Sequence, residues 1–172
     1  MECIQGEDGV NKASPEWLRA VAQITAEREI PLIVDDIEAG CGRSGDFFSF
    51  EESGIQPDLV LLSKSLSGYG VPMSLVLIRP ELDIWAPGGR TGTFRGNNLG
   101  FVRATAAQRV YWSDGVFSAD IKRKGAILHK PLAAIAARHP GELEACGRGR
   151  LRGLASTVDP DFGARVSRAA FA

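Results

Sequence analysis

Lys64 comes one serine after the apolar run Leu59-Val60-Leu61-Leu62. Asp35 and Asp36 close a second apolar run, Pro31 to Val34. Short apolar runs of this kind read as buried strands, and open α/β sheets bind ligands beyond the carboxyl ends of their strands. Two neighbouring strands would then present an amine and a carboxylate at one edge of a sheet. That chemistry suits a cofactor attached covalently through the amine and held by charge elsewhere. Ser65, Ser67, Gly68 and Gly70 supply a small-residue turn behind the lysine.

The elements that must carry these residues can be traced along the chain. Met1 to Gly9 begins as if in mid-strand and ends in a glycine-bearing turn. Ser14-Pro15 is a helix opening, the serine capping free N–H groups and the proline suiting the first helical position. Trp17, Leu18, Val21, Ala22 and Ile24 mark an apolar face to about Glu29. Strands are expected at Ile30 to Val34, Leu59 to Leu62 and Ser74 to Ile78, with a short helix over Glu81 to Trp85. Helices follow over Asn98 to Trp112 and Phe117 to Arg138, the second broken or kinked at Pro131. Leu151 to Val158 reads as a strand, and the chain stops on what looks like another helix.

The composition is that of an ordinary globular chain: 172 residues, 44% hydrophobic and 24% charged. No apolar stretch approaches a membrane span, and the N-terminus lacks a signal pattern. Three cysteines at unrelated spacings argue against a disulfide framework or a metal site and fit a reducing cytoplasm. The net charge is −1 but unevenly spread, the first sixty residues being strongly acidic and residues 121–155 basic. The basic block has no interleaved aromatics, so a solvated face is expected there rather than a nucleic-acid surface. Gly40, Gly42 and Gly45 match the spacing of a dinucleotide-binding loop. Five residues separate them from the strand, however, and no long crossover helix is expected to follow, so nicotinamide binding is disfavoured. Neither His129 nor His139 requires a catalytic role.

LIVDDIEAGCGRSG, then PDLVLLSKSLSGYG with PMSLVLIRPELD, then TGTFRGNN, resembles the class III aminotransferases over nearly the whole chain. Within that family the SKSLSGYG and TFRGNN segments favour the diaminobutyrate branch. The resemblance implies an α/β fold: the central part of the large domain of fold type I, a mostly parallel sheet flanked by helices. It also implies the start of the small C-terminal domain, dividing the chain into 1–113 and 114–172. The implied cofactor is pyridoxal 5'-phosphate, and the implied partners are amino acid and 2-oxo acid substrates and a second subunit, with no nucleic acid or membrane.

Carried over by position, Lys64 resembles the lysine that bonds to the cofactor aldehyde. Asp35 resembles the acid paired with the pyridine nitrogen, and Ile37 the residue against the ring face. Thr93 resembles the phosphate contact supplied across a subunit boundary, and Glu2 the glutamate on the substrate side. An unpaired buried carboxylate at Asp35 would be costly, whereas a pyridinium partner accounts for it.

Two departures stand out. Glu38 occupies the position of the family's glutamine near the cofactor's phenolic oxygen, where a carboxylate would repel a phenolate. Glu38 is therefore expected either to be protonated when the cofactor is bound or to weaken its binding. Family members are also more than twice as long. The glycine-bearing phosphate loop, the ring-stacking aromatic and the carboxylate-binding arginine have no counterparts here. The chain thus reads as the middle of an aminotransferase, with a non-catalytic remnant or partner subunit as the alternative.

Overall fold

The computed structural model describes every residue of the chain except Asp8, Tyr69 and Arg90, so the tyrosine of SKSLSGYG lies outside the described residues. Helix α1 spans Pro15–Glu27 and begins as the sequence predicts, with Ser14 Oγ accepting from Trp17 N at 3.1 Å. Leu18 is its buried residue, and Val21 and Ala22 add to the same core. Trp17 and Ile24 instead stay about half exposed, at 52% and 51%. They lie one heptad apart, about 100° round the helix from Leu18, and so miss the core stripe.

Strands β1 (Ile33–Asp35), β2 (Leu59–Leu62) and β3 (Leu75–Ile78) form one sheet in that order. β1 and β2 are parallel, with Val34 opposite Val60 and Asp35 opposite Leu61. β3 returns antiparallel to β2, so this part of the sheet is mixed rather than uniformly parallel. The inward residues Val34, Val60 and Leu62 join Leu18, Leu32, Phe50, Ile55 and Cys3 in the main core. Met1 extends the order on the far side of β1, donating to Ile33 O and accepting from Asp35 N. This is the bonding pattern of a parallel neighbour flanking Val34.

Beyond β3, a 3₁₀ turn at Pro80–Leu82 stands where the short helix was expected. Helix α2 (Asn98–Tyr111) is capped by Asn97, whose side chain accepts from Leu99 N at 3.1 Å. Helix α3 (Val116–Ala136) runs on through Pro131, and the expected break is absent. Pro131 lies on an exposed face, where water can meet the carbonyl that its missing N–H leaves unpaired.

Strands β4 (Leu143–Arg148) and β5 (Leu151–Ser156) form an antiparallel hairpin, and α4 (Phe162–Ala170) follows. The sequence pattern shows β5 and the final helix but not β4, whose Leu-Glu-Ala-Cys-Gly-Arg has little alternating apolar character. The hairpin turn is pressed onto the 40–45 loop. Gly149 has φ +58°, and a Cβ there would lie 2.6 Å from Arg43 O. Only glycine tolerates both conditions at once.

Candidate active site

The carboxyl edge of β1 and β2 gathers most of the candidate residues. Asp35 is the last residue of β1. Opposite it the chain runs Leu61, Leu62, Ser63 and then Lys64, which opens a 3₁₀ turn over Lys64–Ser67. Parallel pairing puts both strand ends on the same side, which is why an acid and an amine so far apart in sequence become neighbours. The Lys64 backbone is left-handed, at φ +45°, a conformation unfavourable for a lysine.

The two adjacent aspartates play different parts. Asp35 is half-buried, and its Oδ1 accepts from Ile37 N at 3.1 Å. Among the described residues its second oxygen has no hydrogen-bond or ion-pair partner. Asp36 is turned into the interior, where its Oδ2 accepts from Ser49 N at 3.0 Å. Burial pushes the Asp36 carboxyl above its usual range, opposed by the Ser49 hydrogen bonds and the charge of Arg148. Asp36 thus braces the 36–49 loop from the interior.

Glu38 takes a position that the sequence did not show. Its Oε2 meets the Lys64 ammonium and its Oε1 the Arg43 guanidinium. Arg43 Nε in turn donates to Ser65 Oγ at 3.1 Å, beside the lysine. Gly6 backs the Glu38 side chain so closely that any Cβ there would collide with its stem. Glu38 therefore has two cationic partners where sequence reasoning anticipated only an unfavourable phenolate.

Ile37, half-buried, lies two residues beyond Asp35, and its N–H donates to the Asp35 carboxylate. Glu2 is exposed, next to Met1 and so alongside the end of β1. Thr93 is exposed on the turn ahead of α2 and makes no hydrogen bond or ion pair with the lysine–glutamate cluster. No helix opens after Gly45, only turns and a 3₁₀ turn at Glu51–Ser53, so the glycine spacing at 40–45 has no phosphate-binding helix behind it.

Arg148 carries weight that sequence reasoning missed. Its side chain, only 15% exposed, donates to Ser44 O at 3.0 Å and Ser49 O at 2.7 Å and also meets Glu52. It ties β4 to the loop that Asp36 braces from within. Its place in the basic block was the only sequence signal, and that signal pointed to solvent.

Lys64 on a left-handed turn, Asp35 at the end of the paired strand and the half-buried Ile37 two residues beyond it thus stand at one edge of the sheet. Residues 1–165 match the family described as Aminotransferase class-III, and the chain belongs to it. That family works with pyridoxal phosphate, and the ring end of the cofactor fits the residues present. Asp35, whose second oxygen has no hydrogen-bond or ion-pair partner among the described residues, is chemically suited to a protonated ring nitrogen.

Among similar proteins, a diaminobutyrate–2-oxoglutarate transaminase of Bordetella parapertussis is 50% identical over 172 residues, the match covering 99% of this chain and 40% of that protein. One from Nocardia farcinica is 53% identical over 171 residues, covering 99% and 39%. Among solved structures, the ornithine aminotransferase of Toxoplasma gondii superposes with a TM-score of 0.83 at 34% identity, covering 94% of this chain and 38% of that one. The chain thus spans about two fifths of the length of these relatives. No helix among the described residues is long and apolar enough to cross a membrane.

Proposed function

We propose that the chain is the cofactor-binding centre of a class III aminotransferase acting on diaminobutyrate. The amino group would pass between L-2,4-diaminobutyrate with L-aspartate 4-semialdehyde and glutamate with 2-oxoglutarate, as in ectoine synthesis. The observation that carries this reading is the placement of Lys64 and Asp35 at the same end of two paired parallel strands. Roughly 50% identity to transaminases of that name supports the substrate pair.

When bound, pyridoxal phosphate supplies an aldehyde that takes up the amino group and a ring that accepts electrons. Lys64 would hold that aldehyde and would be the base that moves a proton at the substrate carbon. Asp35 holds the proton on the ring nitrogen. Ile37 would cover one face of the ring and keep water from it. Glu38 would stand near the cofactor's oxygen, Thr93 would contact the phosphate across a subunit boundary, and Glu2 would lie on the substrate side.

The reading includes a homodimer in a reducing cytoplasm, with residues 1–113 in the large domain and 114–172 opening the small one. Support for a subunit contact comes from the TGTFRGNN segment and the start of α2. There Phe94 is 95% exposed, and Leu99 and Val102 are 69% and 67% exposed. Surface of that kind is what a partner covers. The same exposure favours the alternative in which this chain performs no turnover without further polypeptide.

The test is to incubate the purified chain with pyridoxal phosphate, reduce with borohydride and locate the modified peptide by mass spectrometry. Labelling concentrated at Lys64 and lost in Lys64→Ala is the expected result. Labelling spread over the exposed lysines would overturn the assignment of the site to this chain.

A further inference from the structure

We propose that Glu38 and Arg43 form a lock on Lys64, Glu38 competing with an aldehyde for the lysine nitrogen and Arg43 setting how firmly it does so. The inference rests on the reading of Lys64 given above. Three contacts build it. The Glu38 carboxylate bridges Lys64 through Oε2 and Arg43 through Oε1. Arg43 is anchored in turn by Ser65 Oγ at 3.1 Å and, through its backbone carbonyl, by Arg150 N at 2.8 Å. Gly6 closes the space behind Glu38, which limits the carboxylate's retreat.

The chemistry follows from what a lysine nitrogen must do. To bond to an aldehyde carbon it has to leave the carboxylate and give its proton to solvent. Water then departs as the carbon–nitrogen double bond forms. A carboxylate held against the ammonium opposes the first of these events. Arg43 draws on the same carboxylate from the other side, so it weakens the hold on Lys64. The hairpin turn at Gly149-Arg150 sits on the Arg43 backbone, and the lock thereby senses the position of the β4–β5 hairpin.

The two residues have opposite expected effects, and that separates a lock from mere structural support. Trace acetylation with acetic anhydride, read peptide by peptide and normalised to Lys130, reports the reactivity of Lys64 without any cofactor. Lys64 is 41% exposed in its side chain, so the reagent can reach it. In Glu38→Gln the Lys64 rate should rise about two- to fivefold, the range for a partly exposed ion pair. In Arg43→Met it should fall, and Arg43→Lys should restore it towards the parent value. The same ranking is expected for labelling by pyridoxal phosphate with borohydride. Equal rates in all variants, or a rise in both Glu38→Gln and Arg43→Met, would overturn the lock. Acetylation that follows the ranking, with no pyridoxal phosphate labelling at Lys64 in any variant, would support the lock and refute the cofactor reading.

Discussion

Arg148 of the β4–β5 hairpin donates to the carbonyl of Ser49 at 2.7 Å, while the Ser49 amide donates to the buried Asp36 at 3.0 Å. A residue late in the chain is thereby joined to the aspartate next to the candidate cofactor acid. The loop between β1 and β2 is thus held through both the N–H and the carbonyl of Ser49. Glu38 leaves that clamped loop for the site, just beyond Asp35 at the end of β1, so its placement depends on a hairpin that contributes no site residue of its own.

Truncating Arg148 should therefore be costly. Arg148→Ala removes donors from two backbone carbonyls and leaves Glu52 with Lys12 as its remaining cation partner. A loss of about 2–3 kcal/mol is expected from unsatisfied polar groups on this scale. Urea unfolding of the variant against the parent chain measures it. A loss within 0.5 kcal/mol or so, typical of a surface change, would show that the clamp is not structural.

Asp36 predicts a pH dependence with a definite sign. Burial raises its folded-state carboxyl above the ordinary value, so the folded chain holds a proton that the unfolded chain releases more readily. Stability tied to this group is present below the ordinary carboxylate range, about pH 4, and is lost as pH rises from there through the raised folded value. Asp36→Asn keeps an acceptor for Ser49 N and removes the charge. The variant should gain stability relative to the parent between pH 4 and pH 7 in urea titrations. A constant difference across that range would mean that burial of this charge costs nothing.

The left-handed backbone at Lys64 makes a separate prediction. Lys64→Ala and Lys64→Gly both remove the amine and its pairing with Glu38. Glycine carries no penalty at φ +45°, so Lys64→Gly should be the more stable by about 1 kcal/mol. Thermal unfolding of the two variants decides the point. Equal stability would show that the turn relaxes once the lysine is gone, with no strain held at the site.

Local pattern reached a good part of this molecule. The helix opening at Ser14-Pro15, the apolar strands β1 to β3 and the helix α2 are written in short-range spacing, because capping and strand burial depend on residues close in the chain. Lys64 and Asp35 could be paired from sequence for the same reason, each ending an apolar run. β4 escaped because its residues carry little alternation, and its register is set by β5 and by the close seat of Gly149 on the 40–45 loop. Pro131 does not break α3, because a proline's cost depends on whether solvent reaches the freed carbonyl, which spacing does not report.

The sequence by itself determined the family, the α/β class and the strand ends that carry the amine and the acid. The tertiary structure alone decided that Asp36 is turned into the interior, that Glu38 lies between Lys64 and Arg43, and that Arg148 is a clamp rather than a solvated cation. The division has a physical cause. Strand and helix patterns arise from neighbours along the chain. The partner of a charge is set by packing between segments far apart in sequence, where a half-buried carboxylate is satisfied by whichever cation the fold brings within reach.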